Sequence, residues 1–335
     1  MNHTNSKLKV GEANATALAG KIALFGAAGA IGKSIAAALR AQGRAYRVVG
    51  RSAAALQAAF GDDPLAEIVT WNPEDPASIR AAARGVDSIM YLVGVDYWKF
   101  DLHPVLLQKT LDAAIAERVA NFILSGTVYP FGKPVTATVR EEHPREPHTF
   151  KGSMRKQQED MVMAADRAGK IRGTVLRLPD FYGPGVDKSL LDGVFKAAAS
   201  GSRAFMIGPI DTPHEFLYVP DAGPVLLALA DQPQAYGRTW NFAGAGITSQ
   251  RDLAQQIFAQ AGRTPKISVV NKLTLRVIGL FDKMMRELVE MHYLQTTPVL
   301  MDDTALCALL PGLHKTSYAE GIRQTLAAIR PGSQA

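Results

Sequence analysis

Between residue 20 and about residue 178, compact apolar runs alternate with stretches whose apolar positions recur every three or four residues. The runs at 21–25, 46–50, 67–71, 88–94, 121–125 and 173–178 are apolar at most positions, which predicts strands buried on both faces. The periodic stretches predict helices over 33–42, 77–84 and 102–116. Asp75 followed by Pro76 marks a helix start, because the carboxylate can accept an unpaired first-turn amide and proline has no amide to leave unpaired. Strand and helix in alternation predict an α/β fold, a Rossmann-like doubly wound parallel sheet.

Beyond Pro179 the alternation loosens into segments rich in glycine and proline, with a further strand at 239–243 and a helix from Ser249 to Ala261. The pattern divides the chain into a flexible leader (1–18), a sheet domain (19–178, with strands recurring to about 245) and a smaller C-terminal lobe (179–330). Residues 273–293, dense in Leu, Ile, Met and Phe, suggest a mobile apolar cap or a subunit contact, as in a homodimer.

Composition narrows the class. The 335 residues are 47% hydrophobic and 20% charged, enough apolar surface to offset the entropy of ordering the chain, so disorder is excluded as the main state. A single cysteine, Cys307, cannot form an intramolecular disulfide, and a reducing cytoplasm is the expected location. The net charge of +6 comes from 37 basic and 31 acidic residues spread without a basic block, so no nucleic-acid partner is expected. No export signal is expected in the first 18 residues, and no apolar run reaches the ~20 residues that span a bilayer, so no membrane partner is expected either.

Directly after the first strand stands Gly26-Ala27-Ala28-Gly29-Ala30-Ile31-Gly32, opening a helix. Amides at a helix N-terminus are unpaired and lie at the positive end of its dipole, and small side chains let a pyrophosphate reach them. Gly26 is read as the tight turn, Gly29 as the point of close approach and Gly32 as helix-to-strand packing, with Ala28, Ala30 and Ile31 in the same site. Residues 29–34 also end like a phosphate-binding P-loop, but that pattern needs glycine where Ala27 stands.

The second strand closes on Gly50-Arg51-Ser52, where dinucleotide folds meet the adenosine ribose. An acidic residue there would accept from a free 2′-hydroxyl. Arg51 instead offers a guanidinium fork suited to a 2′-phosphate, with Ser52 as a second donor, so NADP is expected over NAD. The alternative is a plain surface arginine. Asn72 is expected near adenine, Val93 and Gly94 near the cofactor's ribose, and Pro179 completes the cofactor set. The seven histidines show no metal-binding spacing, and no metal is expected.

Three downstream segments carry a family likeness: Ile123-Leu124-Ser125-Gly126-Thr127-Val128-Tyr129, Leu176-Arg177-Leu178-Pro179-Asp180-Phe181-Tyr182-Gly183-Pro184 and Glu215-Phe216-Leu217-Tyr218-Val219-Pro220-Asp221. With the glycine turn, they make residues 20–263 resemble the extended short-chain dehydrogenase/reductase family, which includes the NAD-dependent epimerases and dehydratases. That resemblance implies a Rossmann domain holding NAD(P), with the substrate between the two lobes. It also implies a Tyr-x-x-x-Lys pair with a glutamate eight residues after the tyrosine. The matching window is Lys151-Gly152-Ser153-Met154-Arg155, followed by Glu159, so Lys151 replaces the tyrosine and Arg155 the lysine.

In the usual arrangement a phenol handles the substrate proton while a neighbouring ammonium lowers its pKa and holds the nicotinamide ribose. Arg155 can still supply charge and ribose hydrogen bonds. Lys151 can act as the acid if burial beside another cation depresses its pKa, and isoflavone-reductase-like enzymes are similar in using a lysine near the nicotinamide. The alternative is a solvated Lys151 on the first turn of a helix. Ser125 would orient a substrate carbonyl or satisfy the strand end, with Thr127 as a substitute. Tyr97, Tyr129 and Tyr182 are read as packing or pocket-wall residues. The expected function is NADP-dependent hydride transfer on a carbonyl/alcohol pair of a small, apolar molecule, with Ser125, Lys151 and Arg155 as the catalytic set. A nucleotide-sugar epimerase or dehydratase and a non-catalytic NADP-binding sensor are the alternatives. Against the sugar reading, Asp180-Phe181 displaces the Asn usual before Tyr-Gly-Pro, and His214 stands where the family often carries arginine.

Overall fold

The computed structural model describes residues 20–187 and 189–329; the expected leader at 1–18 lies outside the described residues. Its strands are β1 (Ile22–Phe25), β2 (Tyr46–Gly50), β3 (Ala66–Thr70), β4 (Ser88–Tyr91), β5 (Asn121–Thr127), β6 (Arg172–Leu178), β7 (Asp180–Tyr182), β8 (Ala204–Ile207), β9 (Phe216–Tyr218), β10 (Arg238–Asn241) and β11 (Ile267–Val270). Its helices are α1 (Ala30–Ala41), α2 (Ala53–Phe60), α3 (Pro76–Ala83), α4 (Leu102–Ala116), α5 (Phe150–Arg167), α6 (Asp192–Ser200), α7 (Val219–Ala230), α8 (Gln250–Gln260), α9 (Lys272–Ile278), α10 (Lys283–Met291), α11 (Tyr293–Thr296), α12 (Thr304–Leu309) and α13 (Tyr318–Ile329).

Seven strands form one parallel sheet in the order β3-β2-β1-β4-β5-β6-β10. The two-residue period of each strand explains its uniformly apolar sequence. Ile22 and Leu24 of β1 face a core with α1, α2, α7 and α12, whereas Ala23 and Phe25 face one with α3, α4 and α5. The fourth strand stops at Tyr91, short of the 88–94 expected. Its neighbour β1 ends at Phe25, whose carbonyl takes the Leu92 amide at 2.8 Å, and Val93 and Gly94 then leave the sheet. The first helix starts at Ala30 rather than residue 33, because the glycine turn itself supplies its first residues. The start at Asp75-Pro76 has the expected chemistry: Asp75 accepts the Ala77 amide at 2.9 Å.

Two short parallel pairs, β7-β9 and β8-β11, lie outside the main sheet. A third core gathers around them from α6, α8 and α13. Close packing of α1 on α7 depends on Gly223, where a Cβ would lie 2.4 Å from the Ser34 backbone. Pro224 inside α7 has no amide for the Pro220 carbonyl. The Ser34 hydroxyl donates to that carbonyl at 3.0 Å and accepts from the Gly223 amide at 2.9 Å.

Candidate active site

Strand order reverses between β1 and β4, and the connections leave in opposite directions, opening a cleft at their carboxyl ends. Gly26, Ala28, Gly29, Ala30, Ile31 and Gly32 line it, with Arg51 and Ser52 after β2 and Val93 and Gly94 after β4. The glycines differ in what requires them. Gly26 has φ 92°, and a Cβ there would lie 2.8 Å from the Leu92 backbone. A Cβ on Gly32 would lie 2.3 Å from the Ala27 carbonyl oxygen. Gly29 has φ −73° and would meet only the Gly26 carbonyl oxygen, at 3.5 Å. Its missing side chain serves the open space before the first-turn amides of α1, which have no side-chain cap and no acidic neighbour in that turn. Those features fit the diphosphate of a dinucleotide.

Arg51 is exposed at the far end of the cleft. Ser52 caps α2 by accepting the Ala55 amide at 3.2 Å, which leaves its hydroxyl proton available as a donor. Asn72 and Pro179 are not brought to the cleft wall. The Asn72 side-chain oxygen accepts the Glu74 amide at 3.0 Å in an Asx turn. Pro179 is buried at the end of β6, and Phe181 lines the cleft instead.

From Gly94 and Phe181 the groove passes Tyr97, Tyr129 and Asp180 and opens into a cavity of ≈ 460 Å³ beneath α9 and α10. The phenols of Tyr97, in the loop after β4, and Tyr129, in a single 3-10 turn after β5, share a hydrogen bond at 2.6 Å on its wall. Burial raises both phenol pKa values, and the Asp180 carboxylate pushes in the same direction. The pair therefore keeps its protons at neutral pH. Asp180 accepts a hydrogen bond from, or pairs with, His214 Nε2 at 2.9 Å. The pocket-wall reading of Tyr97 and Tyr129 matches their place, but sequence spacing carries no sign of their mutual contact. Tyr182 belongs to the core, stacked on Phe195.

The three catalytic candidates lie behind this wall rather than on it. Thr149 caps α5 by accepting the Gly152 amide at 3.1 Å, which sets Lys151 in the first turn facing inward. Lys151 is 1% exposed, so the solvated alternative is corrected. Its ammonium pairs with Glu287 and, at 2.7 Å, with Glu290, both from α10. It lies 5.6 Å from the Tyr97 ring centroid and 5.8 Å from that of Phe100. The charged neighbours that hold it are thus two carboxylates, not the second cation that the acid role requires.

Arg155 is also buried, and burial lowers its pKa. It donates to the Ser125 carbonyl at 3.0 Å and to Gln158 Oε1 at 2.7 Å, with His103 Nδ1 at 3.3 Å. Burial first, then the Arg155 charge, push His103 down to about 2, so its ring is neutral and Nδ1 can accept. The Ser125 backbone, rather than its hydroxyl, is what Arg155 reaches. Glu159 and Arg177, both 1% exposed, form a two-point ion pair at 2.8 and 2.9 Å that ties α5 to β6.

Among the described residues, no cluster of three or more His, Cys, Asp or Glu can hold a metal ion, and no helix is long and apolar enough to cross a membrane. The chain is 26% identical over 264 residues to the dTDP-6-deoxy-L-talose 4-dehydrogenase (NAD(P)(+)) of Kitasatospora kifunensis, covering 75% of this chain and 82% of that protein. In fold it is similar to the dTDP-glucose 4,6-dehydratase of Bacillus anthracis in complex with NAD (TM-score 0.78, 15% identity, 92% of this chain and 96% of that one). It is likewise similar to the UDP-glucuronic acid 4-epimerase of Bacillus cereus in complex with NAD (TM-score 0.75, 17% identity, 92% and 98%). A family model for the NAD-dependent epimerase/dehydratase family matches residues 22–243. With that match lying across the glycine turn, the parallel sheet and the groove, the chain belongs to the NAD-dependent epimerase/dehydratase family and is an NAD(P)-dependent enzyme.

Proposed function

We propose that the protein is an NADP(H)-dependent oxidoreductase that reduces a carbonyl to an alcohol, with the Tyr97–Tyr129 phenol pair as proton donor. The observation that carries this reading is that the cleft at the glycine turn and the groove holding two hydrogen-bonded, protonated phenols adjoin, with Gly94 and Phe181 lining both. A bound nicotinamide supplies the hydride. A phenol that is protonated at neutral pH has no free site to take an alcohol's proton but can donate its own to the oxygen of a carbonyl as negative charge develops there, which suits the reductive direction. Lys151 is assigned a positioning role, holding α10 over the pair, and Arg155 a positioning role through the Ser125 carbonyl. Arg51 and the Ser52 hydroxyl support a 2′-phosphate and hence NADP.

The names of the relatives support a second reading, a nucleotide-sugar dehydrogenase, epimerase or dehydratase. Fluorescence titration with NADPH and NADH tests the cofactor assignment. Arg51→Ala is expected to weaken NADPH binding about tenfold, roughly one charge-assisted hydrogen bond, and to leave NADH binding unchanged. A wild-type preference for NADH would remove the role of Arg51. Tyr129→Phe is expected to lower kcat for carbonyl reduction about 100-fold with the same NADPH affinity; an unchanged kcat would remove the phenol pair from the chemistry.

A further inference from the structure

We infer that the cavity beneath α9 and α10 receives an uncharged, largely apolar carbonyl compound rather than a diphosphate-bearing sugar. This rests on the oxidoreductase reading and goes on to name its substrate class. At ≈ 460 Å³ the cavity falls within the range of about 300–1,000 Å³ usual for small-molecule sites. Its walls are mostly thioether and aliphatic, with Met206, Met284, Met285 and Leu288 among them. Methionine fits irregular apolar shapes without imposing one, which suits a flexible hydrocarbon better than a hydroxylated ring.

Charge points the same way. Among the described residues, no lysine or arginine lines the cavity, and the acidic group on its wall is Asp180. A diphosphate would face that carboxylate, whose hydrogen-bonding partner is His214 at 2.9 Å. His292, also on the wall, has its pKa lowered by burial, so it brings no charge at neutral pH. An anion moved into such a site would lose its hydration and, among the described residues, meet no lysine or arginine on the walls to offset that loss.

Exposed apolar side chains accompany the cavity. Phe205 and Ile278 line it and are also exposed, and Leu280 and Phe281, which follow α9 in the chain, are exposed too, Phe281 at 90%. The phenol pair supplies the hydroxyl donors on the wall, which places the reacting carbonyl there and the hydrocarbon against the methionine and aliphatic side chains of α9 and α10. In the reduction, the carbonyl carbon gains the hydride of NADPH and the C=O π electrons move to oxygen. The oxygen takes a phenol proton, and the phenolate left behind takes one proton from solvent, so that overall one carbonyl, one hydride from NADPH and one solvent proton give the alcohol and NADP⁺.

Binding of the uncharged fluorophore N-phenyl-1-naphthylamine to the full chain, without coenzyme, tests the cavity. The probe is expected to bind and to be displaced by decanal and 2-decanone, and not by dTDP-glucose or UDP-glucose. Met285 is half-buried on the wall. Met285→Glu is expected to weaken the probe about tenfold or more, with circular dichroism and NADPH affinity unchanged and Met285→Leu retaining wild-type probe affinity. Displacement by either nucleotide sugar, faster NADPH oxidation with a nucleotide 4-keto sugar than with decanal, or unchanged probe affinity in Met285→Glu would overturn the inference. Absence of NADPH binding would instead overturn the oxidoreductase reading, while the coenzyme-free probe measurement still decides the cavity's ligand class.

Discussion

Gly29 and Gly32 look alike in the sequence and differ in what each prevents. The Cβ of Gly32→Ala would lie 2.3 Å from a backbone oxygen, so the variant is expected to lose about 1–3 kcal/mol of stability by overpacking, seen as a lower urea midpoint. Gly29→Ala has ordinary contacts and an allowed φ. It is expected to keep its urea midpoint and bind NADPH at least about tenfold more weakly, because the methyl group occupies the approach to the α1 amides. At this scale the turn was legible because local backbone geometry limits residue choice. Lys151 was legible as a departure from a motif, but its environment was not. Glu287 and Glu290, which hold it, lie more than 130 positions away in a segment whose most visible feature is its apolar density. The phenol pair was hidden for a related reason: Tyr97 and Tyr129 meet only because β4 and β5 are neighbours in the sheet.

Strands and helices of the sheet domain could be read because burial on both sides leaves a run with little polar alternation. The pairs β7-β9 and β8-β11 could not. Each strand has only three or four residues, too few for a two-residue period to stand out, and its partner lies tens of positions away. The kinship of α1 with α7 was equally silent, since it turns on a proline, a glycine and one hydroxyl. Ser34→Ala leaves the Pro220 carbonyl and the Gly223 amide without that partner. An expected loss of about 1–3 kcal/mol, the cost of unsatisfied buried polar groups, is measured by urea denaturation of wild type and variant. Gly223→Ala should be worse, because its added carbon would meet the Ser34 backbone itself.

Across the whole molecule, Glu215 links the β9 region to the C-terminal segment by accepting the Met301 amide at 2.7 Å. Burial is the main cause that raises its pKa to about 7 from an ordinary 4.5. Between those values the folded protein binds more protons than the unfolded chain. This group's contribution is therefore complete below about pH 4.5 and is lost as pH rises to about 7, by about 3 kcal/mol. Urea midpoints at about pH 5 and about pH 8 check it: wild type should show this decline and Glu215→Gln should lack most of it.

The double anchoring of Lys151 also makes the position resistant to exchange. A phenol in that place would leave the carboxylates of Glu287 and Glu290 facing each other without their shared counter-ion. A tyrosine at 151 is therefore compatible with this packing only together with changes at 287 and 290, so the three side chains form an interlocked unit in which no member can be swapped alone.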